Sequence, residues 1–259
     1  LNMVGFILPA NSATGGYEIS NSLRFGANTR LTREFDQDPT GNRKTFTISC
    51  WVKRSSLSSN QCVVSASTTS NFNDKVIGFR TTNAIEVNNV ASGSDALQII
   101  TNRLFRDTSA WYHIVVAIDT TQSAIADGVK FFVNGVRDTD YDGTPVYNQN
   151  ATFETGRSGS TTAIGMLQVN SSQFFDGYIS EFHFIDGAQK AVTDFGEFND
   201  NGVWVPKKYS GSYGDNGFFL AFLNSGNPGV DTSGNSQTFA SSNFTAQDNT
   251  TDTCTNNFA

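Results

Sequence analysis

Alternation of polar and apolar residues dominates the chain and predicts strands rather than helices. Residues 45–53 (TFTISCWVK) alternate polar with apolar side chains, which is the pattern of a strand buried on one face. Residues 111–119 (WYHIVVAID) have a nearly continuous apolar centre, and residues 177–185 (GYISEFHFI) alternate again. Helical periodicity is almost absent, and one short helical turn is expected at 193–198. The pattern predicts an all-β protein.

Glycine, asparagine, aspartate and serine separate these segments. A strand at 129–133 (VKFFV) is followed by Asn134 and Gly135, which predict a tight hairpin turn because both residue types accept the positive φ that such a turn requires. About a dozen short strands separated in this way indicate an antiparallel two-sheet sandwich. The shorter predicted strands are 22–25, 62–66, 76–80, 84–87, 96–101, 153–155 and 163–167.

Composition divides the chain into three parts. Residues 1–19 form an N-terminal arm, residues 20–198 the sandwich, and residues 199–259 an extension rich in glycine, asparagine and serine. The extension contains one strong predicted strand at 218–223 (FFLAFL). Few large apolar residues follow this strand, so the extension can hardly build a core of its own. We expect it to dock on the sandwich, on a partner or on residues outside this sequence.

The N-terminal arm contains an apolar cluster formed by Val4, Phe6, Ile7 and Leu8. The cluster superficially resembles the apolar part of a signal peptide, but a basic start and a convincing cleavage site are lacking. An ordered arm that packs on this protein or on a neighbour is therefore the favoured interpretation. We predict that these four residues make assembly contacts.

Composition and charge exclude several classes of protein. The 259 residues include 17 Lys and Arg against 24 Asp and Glu, a formal net charge of −7. An acidic chain without a basic cluster is a poor nucleic-acid binder, because phosphate neutralisation supplies most of that affinity. No apolar run approaches the roughly 20 residues that span a bilayer. We therefore expect neither nucleic acid nor a membrane as partner.

The cysteines do not form a recognisable framework. Cys50, Cys62 and Cys254 are odd in number and irregularly spaced, which argues against a disulfide scaffold and a metal knuckle. Cys50 lies in an apolar strand and is most simply a small buried hydrophobe. A bridge between Cys50 and Cys62 on neighbouring strands is an alternative that the sequence leaves open.

Candidates for catalysis are few. His113 and His183 are the two histidines, and each lies inside a predicted strand without a cluster of metal-ligating residues nearby. A nucleophile elbow, a phosphate-binding loop and a zinc-protease motif are all absent from the sequence. Glu181 and Asp186 lie five residues apart, which places them on opposite faces of a continuous strand. We predict that the protein is not an enzyme.

One acidic segment has the spacing of a calcium loop. Asp138, Asp140 and Asp142, followed by glycine, match the first half of such a loop, in which alternate carboxylates converge on one cation. The position of the closing bidentate glutamate is Gln149, and flanking helices are not predicted. A solvated acidic turn is therefore the simpler interpretation, with calcium kept as a candidate cofactor.

Three aromatic residues of the extension are candidates for binding sugar rings. Trp204, Tyr209 and Tyr213 lie in polar, glycine-rich sequence, where an aromatic ring has no neighbouring apolar run to join. They would either stack on a glycan or anchor the extension to the sandwich, and the second role is favoured by the usual amphipathic use of such rings.

Several of these segments resemble laminin-G-like, concanavalin A-like jelly rolls. Residues 111–119 with 129–135 are similar to that family's "W-x-H" strand and the hairpin that follows it. Residues 175–182 (FDGYISEF) resemble its closing strand, and residues 22–25 and 46–54 resemble its first strands. The resemblance implies a lectin-like jelly-roll sandwich with extensions at both ends.

A narrower resemblance involves residues 184–187 (FIDG), 195–198 (FGEF), 202–207 (GVWVPK) and 211–214 (GSYG), which are similar to a laminin-G-like group in bacteriophage virions. Cys254 departs from that group, which usually has proline there. The resemblance implies a non-enzymatic virion structural protein, such as a capsid decoration, fibre or tail-associated subunit, on the particle surface. Its expected partners are other virion proteins, further copies of itself and host-surface glycans. The alternative is a secreted or surface carbohydrate-binding adhesin.

Overall fold

Two large antiparallel sheets packed face to face form the computed structural model, which describes residues 16–40 and 42–257. In chain order the strands are β1 (Ser22–Phe25), β2 (Arg30–Glu34), β3 (Thr45–Arg54), β4 (Gln61–Thr69), β5 (Phe72–Phe79), β6 (Ala84–Ala91), β7 (Ser94–Leu104), β8 (Tyr112–Asp119), β9 (Val129–Val133), β10 (Val136–Asp138), β11 (Val146–Tyr147), β12 (Thr161–Ile164), β13 (Gly177–Asp186), β14 (Gly196–Phe198), β15 (Trp204–Pro206), β16 (Phe218–Leu220), β17 (Ala240–Ser242) and β18 (Asn249–Thr250). The predicted all-β jelly-roll sandwich is confirmed.

Each sheet is built from strands distant in the sequence. Sheet I has the order β10-β9-β8-β3-β13-β1-β18, with β16 also paired to β13. Sheet II has the order β11-β7-β6-β5-β4-β12-β2-β17, and β14 with β15 forms a separate two-stranded sheet. Helical structure in the described residues is limited to short segments, α1 (Ile125–Gly128) and the 3-10 turns Gln168–Asn170, Val192–Asp194 and Ala246–Asp248. No helix of the described part is long and apolar enough to cross a membrane.

Sheet I is buried on both faces. In β3, Phe46, Ile48 and Val52 face the core between the two sheets, and Trp51 faces the opposite side. That opposite side is covered by a second apolar group, here called the outer cluster, which contains Ile19, Trp51, Trp111, Val115, Ile185, Val192, Phe195, Trp204 and Tyr209. Burial on two faces explains why the centre of the 111–119 segment is apolar without interruption.

The C-terminal extension is part of the sandwich. It supplies β16 and β18 to sheet I and β17 to sheet II, and with β15 it has four strands where the sequence predicts one. The predicted strand at 218–223 ends at Leu220, and Phe222 then takes a left-handed backbone (φ 54°) while its ring stays in the core. Of the docking alternatives, the structure shows docking on the sandwich.

Most predicted segments occur as strands, and two differ. The predicted helical turn at 193–198 is a 3-10 turn followed by β14. The predicted strand at 153–155 is a loop, because the backbone N–H groups of Glu154 and Thr155 donate to the buried carboxylate of Asp74 at 2.6 and 2.7 Å. A side chain from β5 here replaces a neighbouring strand as hydrogen-bond partner.

The three cysteines are free thiols. Cys50 lies in sheet I and Cys62 in sheet II, and both are fully buried. Burial raises the pKa of both thiols, that of Cys62 to about 12. The predicted assembly residues Val4, Phe6, Ile7 and Leu8 lie outside the described residues, and their role stays a prediction.

Candidate functional site

The structure does not bring the three calcium-loop aspartates together. Asp138 is buried, and its carboxylate pairs with Nε of Arg103 at 3.1 Å, whereas Asp140 accepts a hydrogen bond from Asn102 at 2.6 Å. In the part of the chain that the structure describes, no three carboxylate, histidine or cysteine side chains are placed to hold a metal ion. The carboxylate of Asp138 therefore serves an ion pair, and calcium binding by Asp138, Asp140 and Asp142 stays a prediction.

Trp204 anchors the extension to sheet I. Its side chain is 8% exposed, and its Nε1–H donates to Nδ1 of His113 at 3.0 Å. The indole lies directly against the backbone of Gly135, where φ is 79° and an added Cβ atom would come within 2.2 Å of the ring. The asparagine–glycine hairpin thus leaves room for the indole, and most of the ring is covered by protein.

His113 is held neutral between two indoles. Its ring stacks on Trp51 with a centroid distance of 4.8 Å and on Trp204 at 5.9 Å, and its Nε2 lies 2.8 Å from Oγ of Ser49. Burial, with a smaller contribution from His183, lowers the pKa of His113 to about 3. Because Trp204 donates to Nδ1, the proton of the neutral ring is on Nε2 and points to Ser49.

Tyr209 and Tyr213 lie side by side, with ring centroids 5.1 Å apart. They form one wall of a cleft of about 510 Å³ on the outer face of sheet I. We call it the Glu181 cleft and define it by Tyr17, Glu181, His183, Lys208, Tyr209, Tyr213 and Phe219. Two of the three aromatic residues predicted to bind sugar therefore share this cleft, and Trp204 lies outside it.

A β-bulge places the carboxylate of this cleft. The pairing of β13 with β3 shifts between Ser180 and His183, and Glu181 within the shift has a left-handed backbone (φ 49°). Bulges re-aim side chains, and a non-glycine residue with this backbone is uncommon and costs on the order of 1–3 kcal/mol. The alternation predicted for 177–185 is broken here, so that Tyr178 and Ile185, seven residues apart, both pack with the outer cluster.

Hydrogen bonds hold Glu181 in position. The phenol of Tyr17 donates to its two carboxylate oxygens at 3.1 and 3.2 Å, and Nε2 of His183 lies 3.3 Å from Oε2. Nδ1 of His183 lies 2.9 Å from the hydroxyl of Tyr213. Burial, and secondarily the Glu181 charge, raise the pKa values of Tyr17 and Tyr213 well above their usual value, so both phenols keep their protons.

Aromatic rings surround this polar group. The ring of Phe219 stacks on His183 with a centroid distance of 4.2 Å and an interplanar angle of 5°. Tyr209 stacks on Phe195 at 5.0 Å and donates its hydroxyl to the backbone carbonyl of Ser212 at 2.8 Å. The cleft therefore combines rigid aromatic walls with the carboxylates of Glu18 and Glu181, the imidazole of His183, the ammonium group of Lys208 and phenol hydroxyls. It suits a ligand with both apolar and hydroxyl-bearing faces.

Sequence reasoning missed the central residues of this cleft. The sequence predicts a continuous strand at Glu181 and a strand that contains Phe219, and neither prediction places these side chains in a cleft. The available signal is the presence of Glu181 and His183 in a strand that is otherwise largely apolar. That signal gives no position for Tyr17, which is 164 residues away along the chain.

Residues 26–191 match the Laminin_G_3 family profile, described as the concanavalin A-like lectin/glucanases superfamily. No curated protein sequence matches the chain. The match covers most of the sandwich from β2 to the loop after β13.

Solved structures with the same fold have low sequence identity. A heptameric SAP-like pentraxin of Limulus polyphemus is 16% identical, with 68% of this chain and 80% of that chain covered and a TM-score of 0.45. A Bacteroides ovatus protein, provisionally named a carbohydrate-binding protein, is 14% identical, with a TM-score of 0.51. That comparison covers 88% of this chain but 60% of the other, so this chain spans less than two thirds of its length. The extent of the profile match shows that the chain belongs to the Laminin_G_3 family of concanavalin A-like domains.

Proposed function

We propose that this chain is a non-catalytic glycan-binding domain and that the Glu181 cleft holds the sugar. The observation that carries the proposal is the left-handed bulge that turns the Glu181 carboxylate into a cleft walled by Tyr209, Tyr213 and Phe219. The provisional name of the Bacteroides ovatus structure agrees with this function. Because many functions share one fold, the proposal depends on the cleft rather than on that likeness.

The chemistry of the cleft matches that of a sugar ring. A pyranose has an apolar C–H face, which an aromatic ring can cover, and a rim of hydroxyl groups. The Glu181 carboxylate accepts hydrogen bonds from hydroxyl groups, and the phenols of Tyr17 and Tyr213 hold the polar group in place. Since these side chains are already ordered by one another, less conformational entropy is lost on binding.

Replacing the cleft carboxylate by its neutral isostere is expected to weaken glycan binding. In Glu181→Gln the charged acceptor is lost, and hydrogen bonds to charged groups contribute roughly 1.5–3 kcal/mol. We therefore expect the dissociation constant to rise by about 10- to 100-fold. A glycan array run with and without calcium identifies an oligosaccharide, and isothermal titration calorimetry measures its affinity.

The matched control is Glu197→Gln, because the side chain of Glu197 lies on β14 and is 58% exposed. The affinity of Glu197→Gln for the oligosaccharide should equal that of the unmodified protein. Equal binding by Glu181→Gln, or an array without any signal above background, contradicts the proposal. If calcium changes the affinity for the oligosaccharide, the aspartates at 138, 140 and 142 are the candidate calcium ligands.

A role as a virion structural protein is the second candidate. It is supported by the resemblance of residues 184–187, 195–198, 202–207 and 211–214 to a group of phage virion proteins. In this role the chain decorates the capsid, a fibre or the tail, contacts other virion proteins or copies of itself, and presents the sandwich to host glycans. Glycan binding and a structural role are compatible.

Deleting residues 1–16 tests the structural role. If the apolar residues of the arm make assembly contacts, the deletion should abolish incorporation into particles and leave the thermal unfolding midpoint nearly unchanged. Particle incorporation is measured on purified virions, and the midpoint by calorimetry on the isolated protein. Normal incorporation of the shortened chain, or loss of the fold itself, would refute the assembly role of the arm.

A further inference from the structure

A second cleft, of about 650 Å³, opens on the outer face of sheet I. We call it the tryptophan cleft and define it by Trp51, Trp111, Trp204, Asn134, Phe198 and Asn201. It has no lining residue in common with the Glu181 cleft, and the chain segment 204–210 runs between the two. Its volume lies within the roughly 300–1,000 Å³ usual for small-molecule sites.

An exposed aromatic ring stands at the rim of this cleft. Phe198 in β14 is 53% exposed, and its ring centroid lies 5.0 Å from that of Trp204. Val203, on the opposite side of the loop that joins β14 to β15, is 55% exposed. The three indoles beneath are almost covered and form the floor. The rim therefore offers an apolar ring face that the protein itself does not use.

Side-chain amides lie beside this ring and are held by the backbone. Oδ1 of Asn134 accepts a hydrogen bond from the backbone N–H of His113 at 2.7 Å, and Oδ1 of Asn199 accepts from the N–H groups of Asn201 and Val203 at 3.0 and 2.9 Å. The Nδ2 groups of Asn134 and Asn199 have no partner among the described residues. Both amides are thus fixed by their oxygen atoms and keep donors for a ligand.

Charge defines the class of ligand. The described residues that line the tryptophan cleft include four asparagines and a threonine but no Asp, Glu, Lys, Arg or His. Two charged side chains bond to the lining residues Asn257 and Trp111, namely Lys53 and Asp252, and they pair with each other at 3.0 Å. An ionised group of a ligand would lose hydration in the cleft without a counter-charge among the lining residues, which is unfavourable. Hydroxyl groups, in contrast, can pair with amide donors and acceptors. The cleft therefore favours an uncharged, hydroxyl-rich ligand with an apolar face.

We propose that the tryptophan cleft is a second ligand site, separate from the Glu181 cleft, that binds a neutral oligosaccharide. One sugar ring stacks on Phe198, and its hydroxyl groups bind the amides of Asn134, Asn199 and Asn201. The site goes beyond the proposed function, because it needs neither the Glu181 carboxylate nor the tyrosines that surround it.

The tryptophans themselves report on this site. The chain contains three tryptophans, and all three line this cleft, whereas none lines the Glu181 cleft. The full chain is titrated with cellotetraose, xylotetraose, mannotetraose and, as an anionic comparison, tetragalacturonate, while tryptophan emission is recorded. We expect a saturable change in emission with at least one neutral tetrasaccharide and none with tetragalacturonate.

Variants then separate the two clefts. Phe198→Ala removes the exposed ring and should weaken the emission-detected affinity by about tenfold. Asn201→Ala also changes an exposed residue. When it is combined with Phe198→Ala, the emission-detected affinity should fall further. The matched control Phe72→Ala removes a ring that is 40% exposed in sheet II and should leave the affinity unchanged, as should Glu181→Gln.

Four results would overturn the proposal. The first is that none of the neutral tetrasaccharides binds, by emission or by calorimetry. The second is heat of binding without any change in emission, which would place the sugar away from the tryptophans. The third is an affinity unaffected by Phe198→Ala in a variant whose circular dichroism matches that of the unmodified protein. Loss of the emission response in Glu181→Gln would assign binding to the other cleft alone.

Discussion

A chain that ends at residue 198 is expected to be unfolded, although it retains the whole Laminin_G_3 match. The removed part includes Phe218, Leu220, Phe222 and Phe239, which are each at most 1% exposed and pack in the core between the sheets. Loss of a buried Phe or Leu side chain costs about 2–5 kcal/mol. Four such losses, together about 8–20 kcal/mol, are at least as large as the usual stability of a domain, about 5–15 kcal/mol. Far-UV circular dichroism and thermal unfolding of residues 16–198 and 16–259 test the expectation.

Two point variants provide the control. Phe222→Ala should lower the free energy of unfolding by about 3–5 kcal/mol, because the ring is fully buried. Leu223→Ala alters the next residue, which is 63% exposed. This variant should change the free energy of unfolding by less than about 0.5 kcal/mol. Cooperative unfolding of the 16–198 fragment near the temperature of the full chain would show that the extension is dispensable for folding.

Acid should destabilise the protein through His113. Its pKa is about 3 in the folded chain and about 6.5 in the unfolded chain, so the unfolded chain binds the proton first. The stabilisation is therefore complete above pH 6.5 and is lost as the pH falls towards 3. The difference of about 3.5 pKa units corresponds to up to about 5 kcal/mol in the free energy of unfolding. Denaturant unfolding at a series of pH values measures this change in the free energy of unfolding.

Other groups also titrate in this range, so the comparison is made with His113→Gln, whose side chain stays neutral. This variant is less stable at pH 7, because it loses the stacking between Trp51 and Trp204. Its disadvantage should shrink as the pH falls from 6.5 to 3. Two stability curves that stay parallel over this interval would contradict the assignment of the acid sensitivity to His113.

The strand pattern and the family were accessible from the sequence because they depend on local periodicity. Alternation with a period of two identified β3 and β13, the apolar centre of 111–119 identified β8, and asparagine followed by glycine at 134–135 identified the hairpin after β9. The structure adds that β8 is buried on both faces. These features are dictated by side-chain direction along an extended chain and by the backbone freedom of single residues.

The docking of the extension depended on contacts across the chain. A polar stretch with isolated aromatic residues is compatible with an anchor or with an exposed binding surface. The two roles differ only in whether other residues of the chain cover the aromatic rings. Trp204 is an anchor because its indole donates a hydrogen bond to His113 and packs against Gly135. Phe239 is a core residue because the strand that follows it, β17, pairs with sheet II. His113 lies 91 residues from Trp204 along the chain, beyond the reach of any local pattern.

By itself, the sequence determined the fold class, the resemblance to the family and most of the longer strands of the sandwich, since each depends on residues close together along the chain. Only the tertiary structure determined where the clefts lie and which side chains line them. The bulge at Glu181 reverses the faces of β13, and the phenol of Tyr17 reaches the carboxylate from 164 residues away along the chain. A ligand site is made by side chains that converge from distant segments, and neither periodicity nor spacing encodes where such segments meet.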